Sequence, residues 1–192
     1  MNLEMRRVVL EAERAARGGW SDRDVASLAE STLALRCGDA EVARLLALAV
    51  ADHGHREAVF MTSPSFHASV FALAAGETIP LHDHPRLDVI SKVLRGVIRV
   101  RTYEWIDAES LIASDRGEVV LGEDDGAIVL RKSPGTLHTI TAIEATAFLD
   151  LFAPYYDEEA RPCSYYVIDD SAGRLQSDSV RLRVVTWEEA RR

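Results

Sequence analysis

A chain of 192 residues, 47% hydrophobic and 28% charged, has the length and composition of one globular domain with additions. Its 22 basic and 31 acidic residues leave a formal charge of −9, which opposes binding to a phosphate backbone and argues against nucleic-acid function. The longest apolar stretch, residues 45–51, is too short to cross a bilayer, and the acid-containing N-terminus lacks the apolar core of a secretory signal. A cytoplasmic protein without membrane partners is expected, with Cys37 and Cys163 as free thiols.

The first 57 residues read as a helical segment. "EMRRVVLEAERAARGG" spaces apolar residues at three and four and stops at Gly18-Gly19. "SDRDVASLAESTLALRCG" offers Ser21 as a cap with an acid three residues on, and runs to Gly38. "DAEVARLLALAVADHG" predicts a third helix between Asp39 and Gly54, with His53 and His55 at its end. These helices are expected to cover something else. From 58 to 192 short runs rich in β-branched and aromatic residues follow: "HASVFALAAG", "VISKVLRGVIRVRTYEW", "GAIVLRK", "TAFLDLFAPYY", "CSYYVID" and "VRLRVVTWEE". Gly, Pro and Asp separate them, the pattern of an all-β sandwich or barrel. His67 lies on an early strand without a spacing partner and is read as a non-ligand.

Within this β region "IPLHDHP" carries His82 and His84, which a strand projects to one face. On spacing alone they fit half of a metal site or two partly exposed loop histidines. Gly76, His82, His84 and Gly96 resemble the first cupin motif, G-x5-HxH-x4-E-x6-G, and "SPGTLH" with Gly135 and His138 resembles the second. That resemblance implies a mainly β cupin double-stranded β-helix, a jelly-roll barrel, with an α-helical N-terminal extension. It makes His82, His84 and His138 the expected metal ligands. Val89 stands in the glutamate slot, with Asp88 one place earlier on the opposite face. Three neutral imidazoles suit Fe(II), Zn, Ni or Cu. They leave a divalent ion at +2, which favours an anionic ligand such as a thiolate.

"IPLHDHP…SKVLRGVIRVRTYEWID", "LHTITAIEATAFLDLFAPYY" and "RPCSYY" together resemble the thiol dioxygenases of the plant cysteine oxidase and cysteamine (2-aminoethanethiol) dioxygenase type. The resemblance implies Fe(II) held by the three histidines and conversion of a thiol and O2 to a sulfinic acid. The thiol is a small molecule (cysteine, cysteamine or a thiol acid) or the N-terminal cysteine of a peptide. It also implies catalytic roles for Asp150 and Tyr156, and a Cys163–Tyr165 thioether in some members. Asp150, if it faces inward, needs a partner, and a ligating imidazole N–H would serve. Arg86, beside the ligands, is a candidate to bind a substrate carboxylate. A monomer is expected. Another metal-dependent cupin enzyme, an isomerase or oxygenase, and a non-catalytic ligand-binding cupin are the alternatives.

Overall fold

In the computed structural model, described for residues 2–35, 40–132, 136–155, 162–169 and 178–191, three helices come first. Helix α1 (Leu3–Ala16) starts where the Asn2 side chain accepts the Met5 N–H, and it stops just before Gly19, whose φ is 74°. Helix α2 (Asp22–Thr32) begins at the expected Ser21 cap, with Ser21 and Asp24 bonded reciprocally. It ends short of Gly38 because the Thr32 hydroxyl turns back to the Ala29 carbonyl, competing with the helical ladder. Helix α3 (Ala40–Ala51) is closed by His53 in the left-handed conformation, φ 49°, with the Gly54 N–H bonded to the Ala49 carbonyl. Cys37, Gly38 and Asp39 lie outside the described residues.

The chain then enters strand β1 (His55–Ser63), so His55 begins a strand inside the segment read as helical. After it come β2 (Phe66–Leu73), β3 (Thr78–Asp83), β4 (Asp88–Arg95), β5 (Val97–Asp107) and β6 (Ile112–Gly122). Next are β7 (Ile128–Leu130), β8 (Thr136–Ala142), β9 (Thr146–Ala153), β10 (Tyr165–Ile168), β11 (Ser179–Val185) and the short α4 (Trp187–Ala190). One antiparallel sheet has the order β1-β2-β9-β4-β7, and the second closes as β10-β11-β6-β5-β8-β3. From β2 to β9 the pairs β2·β9, β3·β8, β4·β7 and β5·β6 form one antiparallel ribbon folded back at the β5–β6 hairpin. Successive pairs fall in alternate sheets, so the ribbon winds as a double-stranded β-helix. The architecture is mainly β with an N-terminal helical extension, as expected for a cupin.

Strand β9 shows how the sequence supports both faces. Ala147, Leu149, Leu151 and Ala153 join Met5, Val9, Leu28 and Leu45 in the core beneath the helices. Phe148 points the other way, between the sheets, with Val93, Val100 and Ile140. A strand covered on both sides has no polar face to lose, which is why "AFLDLFA" reads as a nearly continuous apolar run. Lys92, fully buried on neighbouring β4, donates to the carbonyls of Glu123 and Asp125 at 2.6 and 2.7 Å and so fixes the approach to β7.

Candidate metal centre

Strands β3 and β8 are neighbours, and their register sets His82 directly opposite His138. Opposed residues of an antiparallel pair share a face, and the two Nε2 atoms meet at 3.1 Å. His84 follows two residues after His82, just past the end of β3, and turns to the same side. Ring centroids are 4.8 Å apart for His82–His84, 4.4 Å for His82–His138 and 5.1 Å for His84–His138. One ligand atom from each lies within 4.8 Å of the others, and no other such group of potential metal-binding side chains occurs among the described residues.

The chemistry of these three rings fits a divalent ion. The His82 Nδ1–H donates to the Pro80 carbonyl at 2.8 Å, which leaves the Nε2 lone pair aimed into the cluster. Burial holds the His82 imidazole down to about 4, and holds His84 and His138 well below the usual histidine range. All three are therefore neutral near pH 7, the form that binds metal. His138 Nδ1 is buried with no hydrogen-bond partner. Two imidazole nitrogens sharing one ion ~2.1 Å away lie ~3 Å apart when they subtend about a right angle, close to the separation found.

His82 and His84 of the cluster line a cavity of about 760 Å3 between the sheets. Its other wall belongs to the helix-covered sheet and includes Glu57, His67, Phe71, Asp150 and Phe152. The alternation along β9 turns Asp150 inward, only 4% exposed. Its expected imidazole partner is absent. Across the sheet it has Ser69 on one side and Ser91 on the other, and its Oδ1 is buried without a hydrogen-bond partner. Burial pushes this carboxyl up to about 7, against a smaller lowering by the Ser91 hydroxyl.

Asp83, on the opposite face from the ligands, accepts from the Ser164 N–H and the Tyr166 hydroxyl, both at 2.9 Å. That tether holds β10 against β3 and pairs Tyr165 with His82. The Tyr165 ring comes within 6.1 Å of the His82 ring. Burial, and then the adjoining Cys163, pushes the Tyr165 phenol up, and both residues line the cavity. Val89, in the glutamate slot, packs with Leu87, Leu130 and Phe152. Asp88 turns away to Arg131 and Lys132 at 3.2 and 3.5 Å. Tyr156 and Gly135 lie outside the described residues.

Arg86 sits exposed on the β3–β4 turn with φ 64° and does not line the cavity. The left-handed backbone re-aims the chain there, which residue spacing does not reveal. Conversely, His55, Glu57, His67 and Trp187 line the cavity and were not expected there. The signal for His55 and Glu57 is their spacing of two with Val59, which also lines it. That alternation places one face of β1 along the cavity.

The family model PCO_ADO matches residues 56–189. Plant cysteine oxidase 2 of Arabidopsis thaliana is 34% identical over 109 residues, covering 53% of this chain and 40% of that protein. The 2-aminoethanethiol dioxygenase of Homo sapiens is 34% identical over 128 residues, covering 53% of this chain and 47% of that protein. The chain thus spans less than half the length of either relative. Among solved structures, KdgF from Halomonas sp. superimposes with a TM-score of 0.45 at 23% identity, covering 55% of this chain and 85% of that one.

Proposed function

This chain belongs to the PCO_ADO family, and from that premise we propose that it is a non-haem Fe(II) thiol dioxygenase of the cytoplasm, acting as a monomer. The observation that carries the proposal is the convergence of His82, His84 and His138 on one another, with His82 and His84 lining the cavity. His82, His84 and His138 would hold the iron, which would supply the redox chemistry by which O2 and a thiol become a sulfinic acid. The substrate is cysteine, cysteamine, a thiol acid or the N-terminal cysteine of a peptide.

The chain's own contributions follow from its geometry. Three neutral imidazoles add no negative charge, so the site favours a substrate sulfur in its anionic form. The Pro80 carbonyl fixes the orientation of His82. Asp150, inward and short of partners, is in place to orient substrate or hold a proton at its Oδ1. Phe71, Phe152, Ile79 and Ile140 give the cavity apolar walls that limit water. By family resemblance Tyr156 completes the substrate contacts. Cys163 and Tyr165 are neighbours that a thioether would join, with O2 as the oxidant that takes the thiol and ring hydrogens.

The test is anaerobic loading with Fe(II), followed by O2 uptake and product mass with each thiol. One sulfur gaining two oxygens is the expected result. His138→Ala should bind less than about a tenth of the iron and lose turnover at least 100-fold, since metal sites depend steeply on each ligand. Full iron loading without O2 uptake on any of these thiols would rule the reaction out.

A further inference from the structure

On the cavity wall opposite the histidines lies a hydrogen-bonded set that the metal centre does not use. The Ser69 hydroxyl donates to Glu57 Oε1 at 2.6 Å. With that proton committed, Ser69 Oγ accepts from His67 Nε2–H, 2.7 Å away. His67 Nδ1 then accepts from the Thr62 hydroxyl at 3.1 Å. Every donor in the chain Thr62–His67–Ser69–Glu57 thus points toward the carboxylate. His67 Nε2 itself stands 3.8 Å from Glu57. The nearby His67 imidazole, and to a lesser extent the Ser69 hydroxyl, holds the Glu57 carboxyl below its usual range against the effect of burial. The result is an anion fixed at the cavity mouth.

A second, independent feature points the same way. Asp150 stands across the sheet from Ser69, is 4% exposed, lines the same cavity and has a buried Oδ1 with no hydrogen-bond partner. Among the described residues that line the cavity there are two carboxyl groups and neither arginine nor lysine. A fixed carboxylate attracts an ammonium group and repels a carboxylate. Arg86 of the β3–β4 turn is not among the described residues that line the cavity.

We propose that Glu57, held by Ser69 and His67, is a specificity-determining residue that selects thiols bearing an ammonium group over thiols bearing a carboxylate. This rests on the thiol dioxygenase reading for the identity of the ligand's sulfur. The sulfur lies toward the three imidazoles of one sheet, and the ammonium faces the acidic wall of the other. Aminothiols and the N-terminal cysteine of a peptide satisfy both walls. Free cysteine brings a carboxylate toward Glu57 as well as an ammonium and is disfavoured, and 3-mercaptopropionate, with no ammonium at all, is disfavoured most.

The test is calorimetric titration of the Fe(II)-loaded protein with cysteamine and with 3-mercaptopropionate under nitrogen. Wild type should prefer cysteamine by at least about tenfold in Kd, or about 1.4 kcal/mol. Glu57→Gln should bring the two thiols to within about threefold, and Glu57→Asp should keep most of the preference. The Glu57 side chain is 43% exposed, so the glutamine variant has room to fold. Equal affinity for both thiols in wild type, or an undiminished preference in Glu57→Gln, overturns the proposal. Admitting O2 afterwards tests the enzymatic reading separately. A Glu57-dependent binding preference without sulfinate would refute that reading and support the selective wall.

Discussion

Folding takes the three clustered imidazoles and the Asp150 carboxyl out of water and moves their protons in opposite directions. Burial takes His82 from 6.5 down to about 4, so between those pH values the unfolded chain holds a proton that the folded one lacks. His84 and His138 shift the same way, burial being the first cause for each. Stability from these groups is complete above pH 6.5 and is lost as pH falls toward 4, with His82 alone contributing ~3 kcal/mol. Asp150 has the reverse sign. Burial raises it from 3.8 to about 7, so its contribution is complete below pH 3.8 and is lost as pH rises to 7. Across pH 4 to 6.5 three groups oppose one, and the melting temperature of the metal-free protein should climb. Asp150→Asn removes the opposing group, so its profile in scanning calorimetry should climb more steeply. Parallel profiles would mean that Asp150 stays ionised on folding.

Between β4 and β5 the chain turns at Gly96, φ 81°, where a Cβ would stand 2.5 Å from the Ala145 carbonyl oxygen and 2.6 Å from Thr146 Oγ1. The nearer obstacle is backbone and cannot swing aside. Gly96→Ala therefore combines left-handed strain with a clash at the start of β9, and should cost roughly 2–4 kcal/mol. A urea midpoint lowered at unchanged m is the expected observation, and an unshifted midpoint would contradict the close approach. Gly96 is visible in the sequence because a motif position marks it. The three histidines are legible for a similar reason: strand period puts two on one face, and motif spacing supplies the third. Strand β9 is legible as a strand, but the direction of Asp150 is not, since apolar neighbours pack on both faces. Strand β1 escapes because "HREAVFMTS" is half-exposed with only weak alternation, and Glu57 escapes with it. Strand β6 offers no apolar stripe where residues 116–120 are all exposed.

Helices α1 to α3 lie outside the region that the family model matches, residues 56–189, yet they share one core with the sheet that carries Asp150. Met5, Val8, Val9 and Ala12 of α1, Val25 and Leu28 of α2, and Val42, Leu45, Leu46 and Ala49 of α3 meet Ala68 and Val70 of β2 and Leu149 and Leu151 of β9. Without the helices that sheet would present a broad apolar surface, larger than soluble monomers ordinarily expose. Truncation to residues 55–192 should consequently give a protein that aggregates or binds a hydrophobic dye. It should also lose the cavity's acidic wall before its metal centre. The reason is topological. His82, His84 and His138 are positioned by β3 and β8 of the closed sheet, whereas Glu57, Ser69 and Asp150 belong to strands whose outer faces need the helices. Iron stoichiometry of any soluble truncated fraction, compared with its preference between cysteamine and 3-mercaptopropionate, separates the two. Iron retained with the preference lost is the expected result, and a truncated barrel that stays monomeric and selective would show that the helices do not hold the wall in place.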